Sequence, residues 1–346
     1  MSSNANDFYR LSVCIPTYNR AKHLANCLHS ISRCFLYSDL KFEVCVSDNN
    51  SGDETAEVVQ KAQLLMPIKY HKNKNNIGYA RNYQKVVSMA GGEFIWLIGD
   101  DDLLMPYAIK RIYELVENHP NVDFFFLNSF HLTTEYIDKF PTPFDFVNLP
   151  PEMEPFSKFS MEGELPFLRL IHPKVSFDFL GGMFLSIFRR ENWINNTKYL
   201  DRKAILDPRV FSHFDNTFPH VKIFANAFSK STAYFNKEPL NICLTGAREW
   251  SHMSSLVMSV RLVEAVDEYR KVGLPLRQYW QCRNYALRNF IPDLVNMWLH
   301  KERSGFLYVK PFKLIFENFM YPNFYLSFFY FFGRKLKKLF HYLCKK

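Results

Sequence analysis

Three consecutive aspartates, Asp100-Asp101-Asp102, carry the most distinctive chemistry in this 346-residue chain. Carboxylates crowded into one crevice repel, and one of them takes a proton unless a cation sits among them. Their oxygens suit a divalent metal ion. Standing alone, the same triplet serves equally as a solvated turn or as the cap of the helix expected after Pro106. Two other polar clusters share its character: Pro16-Thr17-Tyr18-Asn19-Arg20 and Ser47-Asp48-Asn49-Asn50-Ser51-Gly52-Asp53. Taken by itself, Asp48 reads as a turn former whose carboxylate bonds nearby backbone.

The elements around these clusters give them a common address. Apolar runs at 11–15, 42–46, 68–71 and 94–98 read as short strands, and helical spacing separates them, as in Leu24, Cys27, Leu28 and Ile31. Strands alternating with helices predict an α/β fold with a mostly parallel sheet covered on both faces. Ligands of such sheets bind beyond the carboxyl ends of the strands, which is where all three clusters fall. Farther along, 122–130 and 183–188 read as strands and 214–228 as a helix. The stretch 140–156, with five prolines, reads as a long loop or lid. From about residue 250 the pattern is helical, with Leu256, Val260, Val263 and Val266 on one face.

Composition removes several classes of protein. With 48% hydrophobic and 22% charged residues the chain is neither disordered nor fibrous. Six of the nine net positive charges lie at Arg334, Lys335, Lys337, Lys338, Lys345 and Lys346. The remainder is nearly balanced, so no extended phosphate track for nucleic acid is expected. Seven scattered cysteines without a C-x-x-C pair exclude a disulfide framework or zinc site and fit a reducing compartment. Residues 1–10 carry no apolar stretch, so no secretory signal is expected and the reading is cytoplasmic.

In order and spacing, these motifs, together with Asn76-Ile77-Gly78-Tyr79-Ala80-Arg81-Asn82 and Gly92-Glu93-Phe94, resemble family 2 of the GT-A glycosyltransferases over about residues 10–110. The resemblance implies a Rossmann-like nucleotide-diphospho-sugar transferase fold, a mixed sheet with helices on both faces, and a donor half followed by an acceptor half at about 120–245. It implies a nucleotide-sugar donor held by Pro16, Thr17, Tyr18, Arg20, Asp48, Asn49, Arg81, Asp100 and Asp101. Mg2+ or Mn2+ would sit at Asp102, in the family's DXD motif; many members carry Asp-x-Asp-Asp there, and this chain has Gly99 at the first place and Asp100 at the second. An inverting transfer needs a base within reach of the acceptor hydroxyl. Family 2 enzymes often place it just before a helix in the second half, which here implies Asp215, with His220 in reserve; Asp215 as a helix cap is the competing reading. Softer motifs around Gly181-Gly182, Arg189-Arg190-Glu191 and Phe218-Pro219-His220 are similar to bacterial O-antigen enzymes of the abequosyltransferase type, which move a 3,6-dideoxyhexose from a CDP carrier.

The last segment reads as a helical extension, 246–346, ending in an amphipathic helix. Residues 319–332 are dense in aromatics, interrupted by Pro322 and Asn323, and too short to span a bilayer. Phe332, Leu336, Leu339, Phe340 and Leu343 form an apolar stripe beside an acid-free basic cluster, which an anionic membrane surface attracts. Residues 319–346 would thus hold a peripheral enzyme at the cytoplasmic face of the inner membrane, beside a lipid-linked, polyprenyl diphosphate acceptor. Two other readings stay open: a sugar nucleotidyltransferase, although the loop after the first strand lacks the expected glycines, and a non-catalytic binding protein on the same fold.

Overall fold

β1 (Leu11–Thr17) is buried at every position, and a strand buried on both faces belongs inside a covered sheet. The computed structural model describes residues 9–133, 153–245 and 249–343. Parallel to β1 on one side lie β2 (Glu43–Asp48) and then β3 (Ile68–Lys72); on the other lies β4 (Phe94–Leu97). The connections are α1 (Ala21–Tyr37), α2 (Thr55–Gln63) and α3 (Tyr79–Met89). Next come β5 (Leu103–Leu104), α4 (Ala108–Asn118), β6 (Phe124–Thr133), β7 (Glu154–Pro155), β8 (Gly163–Pro166), β9 (Ser186–Arg189), α5 (Pro219–Phe228) and β10 (Thr232–Thr245).

Among the described residues these strands form one sheet in the order β3-β2-β1-β4-β9-β6-β10-β5, with β7 paired to β6 and β8 to β10. β9 runs antiparallel to both β4 and β6, which makes the sheet mixed, while β10 returns parallel to β6. The core follows from the aromatic density of the chain. Phe124, Phe125 and Phe126 are consecutive and fully buried, so β6 is covered on both faces. Phe126 stacks on Phe235 at 4.8 Å, and the Trp96 indole N–H donates to the Phe184 carbonyl at 2.9 Å.

Several boundaries differ from the sequence pattern for physical reasons. β1 continues through Pro16, because pairing with β4 ends at Cys14 and no partner there needs the missing N–H. β10 escapes a periodicity reading: the polar stretch Asn236-Lys237-Glu238-Pro239 forms an irregularity in the register with β6 and breaks the alternation. The expected helix 214–228 is two helices, Phe214–Thr217 and α5, because Phe218 precedes a proline and leaves the helical region at φ −126°. The expected lid at 140–156 lies mostly outside the described residues.

From 249 onward the described chain is helical, including α6 (Leu262–Lys271), α7 (Leu276–Ala286), α8 (Phe290–Leu299), α9 (Pro311–Asn318) and α10 (Pro322–Leu343). Pro322 does not interrupt the last helix but begins it, where its missing N–H is harmless. Among the described residues no helix is long and apolar enough to cross a membrane. Side chains of 334–346, including most of the expected apolar stripe, lie outside the described residues.

The close approach of β1 and β4 depends on Gly92. A methyl group there would stand 2.7 Å from the Ser12 backbone nitrogen and 2.9 Å from the Leu11 carbonyl carbon. Backbone cannot yield as a flexible side chain does, so Gly92→Ala is expected to lower stability by about 1–3 kcal/mol, measurable by urea unfolding.

Candidate active site

A pocket of about 530 Å³ opens where β1 and β4 end. The sheet register sets it up: Thr17 is level with Asp48, and Cys14 is level with Leu97, three residues before Asp100. Pro16, Thr17, Tyr18, Arg20, Asn49, Asp100, Asp101 and Asp102 all line this pocket.

The aspartates are held apart by specific partners. The Thr17 hydroxyl donates to Asp100 Oδ2 at 2.7 Å, and Arg20 Nε lies 3.2 Å from Asp100 Oδ1. Arg20 Nη2 reaches Asp101 Oδ2 at 2.8 Å, and the Gly99 N–H donates to Asp102 Oδ2 at 2.7 Å. Arg20 thus joins two carboxylates whose side chains are largely shielded from water, where attraction is much stronger than at the surface. Beneath them the Cys27 thiol is buried, and burial, aided by the charges of Asp102, Asp100 and Asp101, pushes its pKa well up. It stays a neutral thiol.

Gly99 accounts for its own place in the motif. A Cβ there would meet Asp101 Oδ1 at 2.6 Å and Asp102 Oδ2 at 3.1 Å. The same convergence tests the fit of a divalent cation. Two carboxylate oxygens from neighbouring residues face one small space on the pocket wall, and magnesium or manganese beside a diphosphate takes one or two protein carboxylates, with phosphate oxygens and water completing the shell. Among the described residues no three His, Cys, Asp or Glu side chains form a complete metal cage. The two converging carboxylate oxygens fit a cation whose other ligands would be phosphate oxygens and water.

The remaining donor-site expectations divide. Asn49 lines the pocket, its amide donating to Asn76 Oδ1 and its carbonyl oxygen accepting from the Ile77 N–H, both at 2.8 Å. Asn82, which the motif contained without a role, is a hub: its amide donates to the Ser47 carbonyl at 2.9 Å and its Oδ1 accepts from the Ser47 hydroxyl and the Asn73 amide. Asp48 is fully buried behind the pocket, accepting from the Ser51 N–H at 2.7 Å and the Tyr70 hydroxyl at 2.8 Å. Its geometry is that of the turn-forming alternative. Arg81 is exposed on α3 and is not part of the wall.

Neither candidate base reaches the pocket. The Asp215 carboxylate is buried and committed to Lys222 Nζ at 2.7 Å and the Asp201 N–H. The helix cap before it is His213, with Asn216 bonding back to the His213 N–H. His220 is buried, with Nε2 3.0 Å from the Gly181 carbonyl, and burial lowers its pKa to about 4. Both residues support the wall formed by Gly181, Asn216, Thr217 and Phe218 instead of contributing to its surface.

That second wall carries residues that no spacing rule singled out. Tyr79 stands edge-on to Phe211 at 5.7 Å, and Phe211 to Trp250 at 5.4 Å. Phe211 has φ +56°, a strained conformation for a bulky residue, and Arg261 holds it by donating to the Phe211 and Ser212 carbonyls at 3.0 and 2.9 Å. Asp178 and Asp207 also line this side. Asp207 is paired with Arg209, which holds its carboxyl well below the usual range. Asp178 accepts from the Ser176 hydroxyl and precedes Phe179 and Leu180, both at positive φ. Gly181-Gly182 was the one visible signal: side chains there would press on Phe218, Phe184 and Asp178.

The mixed sheet, with a crevice at the ends of its parallel strands, has the fold of GT-A glycosyltransferases. Residues 12–157 match the model of glycosyl transferase family 2. Abequosyltransferase RfbV of Salmonella typhimurium is 26% identical over 237 residues, 67% of this chain and 66% of that relative. GalNAc(5)-diNAcBac-PP-undecaprenol beta-1,3-glucosyltransferase of Campylobacter jejuni is 37% identical over 108 residues, 30% of this chain and 34% of that relative. The fold is similar to that of S. aureus TarS 1-349 in complex with UDP, with TM-score 0.52 and 17% identity over 82% of this chain and 72% of that one. It is also similar to mannosyltransferase PcManGT from Pyrobaculum calidifontis in complex with GDP-Man and Mn2+, with TM-score 0.50 and 16% identity over 88% and 82%.

The buried His220 makes an acid-sensitive contribution. Its folded pKa of about 4 lies below the unfolded value near 6.5, so the unfolded chain binds the proton first. Its share of stability is whole above about pH 6.5 and is lost as pH falls toward 4, on the order of 3 kcal/mol in total. Urea unfolding of His220→Phe should show a correspondingly shallower loss across that window than wild type.

Proposed function

We propose that the protein transfers a glycosyl group from a nucleoside-diphosphate sugar to a hydroxyl of a lipid-linked saccharide in bacterial surface polysaccharide synthesis. The observation that carries this reading is the convergence of Thr17, Arg20, Asn49 and the three aspartates on one pocket at the strand ends. The likeness to abequosyltransferase RfbV supports a 3,6-dideoxyhexose such as abequose, carried by CDP. Phe156, Phe177, Met183 and Phe184 line the pocket, and a sugar lacking two hydroxyls presents apolar edges that such side chains accommodate. The name of the C. jejuni relative supports a polyprenyl diphosphate acceptor, and the basic, aromatic segment 319–346 supports a peripheral position on the cytoplasmic face of the inner membrane.

Asp101 and Asp102 would hold Mg2+ or Mn2+ on the donor diphosphate, a reading supported by the manganese complex of PcManGT. The cation supplies charge neutralisation for the departing nucleoside diphosphate. The protein's own groups do the rest. Arg20 keeps Asp100 and Asp101 from repelling, and the aromatic wall keeps water from competing with the acceptor. In an inverting transfer the acceptor hydroxyl attacks the anomeric carbon, the bond to diphosphate oxygen breaks with its electron pair, and a carboxylate takes the hydroxyl proton. With Asp215 committed to Lys222, that role passes to Asp178, a pocket carboxylate fixed by a strained turn.

Thermal unfolding with UDP, GDP, CDP and dTDP, each with and without Mn2+ or Mg2+, tests the donor site. At a hundredfold excess over Kd a ligand adds about 2.7 kcal/mol, a shift of several degrees. One nucleotide, CDP, should give it only with metal, and Asp102→Ala should abolish it. No shift with any nucleotide would remove the transferase reading. Asp178→Asn should keep the nucleotide shift but slow transfer by about 10²–10⁴-fold in kcat; unchanged turnover would exclude Asp178 as the base.

A further inference from the structure

The C-terminal helices leave a broad apolar face uncovered. α10 packs through one stripe: Phe324 meets Phe290 at 5.5 Å, the Ser327 hydroxyl oxygen accepts from the Ile291 N–H at 3.2 Å, and Asn323 makes two hydrogen bonds to Asn284. Its outer stripe is equally apolar, with Tyr325, Leu326, Phe328, Phe329 and Phe332 exposed. α9 repeats the arrangement. Leu314 packs inward, while Phe312 and Phe316 on its outer side, and Met320 just beyond, are 88%, 76% and 76% exposed. A helix with water on its outer side carries polar residues there, and soluble proteins rarely expose apolar surface on this scale.

Charge identifies the partner. Residues 301–346 hold ten Lys or Arg against Glu302 and Glu317, and Glu317 lies 3.5 Å from Lys313. Aromatic side chains flanked by unbalanced cations match the boundary between acyl chains and anionic headgroups. We propose that α9 and the outer stripe of α10 insert together into the interfacial layer of an anionic bilayer. This deepens the membrane reading above by assigning the insertion to α9 and the aromatic first half of α10, with the basic tail as an electrostatic aid.

Flotation of the full chain with vesicles of phosphatidylglycerol and phosphatidylethanolamine, against phosphatidylcholine alone, provides the test. Wild type should float with the anionic vesicles, and F312S/F316S/F329S should partition at least tenfold less while unfolding at a similar temperature. K337E/K338E separates the tail from the face: it should weaken binding at low salt, yet leave the part that persists at about 0.5 M salt, where charges are screened. Equal flotation of wild type and the triple serine variant overturns the proposal, as does complete loss of binding in the charge variant. A lipid-free dimer that the serine variant turns into a monomer, with no vesicle binding by wild type, assigns the face to a second copy instead. Flotation is read without substrate, so absence of a nucleotide shift alongside intact flotation counts against the transferase reading alone.

Discussion

Negative charge concentrated at the end of β4 is the constraint around which the site is arranged. Asp100, Asp101 and Asp102 are adjacent in sequence and sheltered from bulk water, a combination that is unfavourable unless each carboxylate meets a donor or cation. Thr17, Arg20 and the backbone of residue 99 supply those partners, and the first two are available only because β1 pairs directly with β4. Arg20 caps the start of α1, where a cation opposes the helix dipole; Asp53, accepting from the Ala21 N–H at 2.9 Å, places an anion at the same end. The loop after β2 is thus tied to the start of α1.

The two walls of the pocket are built by different physics. On the strand-end side, short side chains bond to backbone and to one another in a network through Asn49, Asn73, Asn76 and Asn82. On the other side, large rings meet edge-on, and bulky residues are held in left-handed conformations by partners such as Arg261. Hydrogen-bonded polar groups hold one fixed shape. A ring-lined wall can be reshaped by substitution at single positions.

This difference also explains what could be read from the chain. The first half follows short-range rules: apolar runs make strands, polar clusters end them, and Thr17, Asn49 and the aspartates arrive together because their strands are parallel and in register. Asp48 and Arg81 show the limit, since motif position does not say whether a side chain faces ligand, core or solvent. The second wall is assembled from segments near 178, 211, 217 and 250 whose meeting depends on tertiary packing alone. Asp215 stands in the expected place, yet Lys222, in the first turn of the neighbouring helix, takes its carboxylate. β10 is hidden by its own polar irregularity, whereas its partner β6 is legible at 122–130 as an uninterrupted apolar run.

The pairing of β5 with β10 gives the aspartate segment a particular history. Leu103 and Leu104, directly after the triplet, pair with Ile242 and Asn241, and the Met105 N–H donates to the Leu240 carbonyl at 2.9 Å. One flank of the carboxylate loop is therefore anchored by residues more than 130 positions later in the chain. During synthesis, Thr17 at the end of β1 and Arg20 at the start of α1 emerge long before the strand that fastens the loop, so long-range closure comes last. A nascent chain has most of the parts of the carboxylate pocket without its geometry, and a ligand can reward folding only once the final strand is in place.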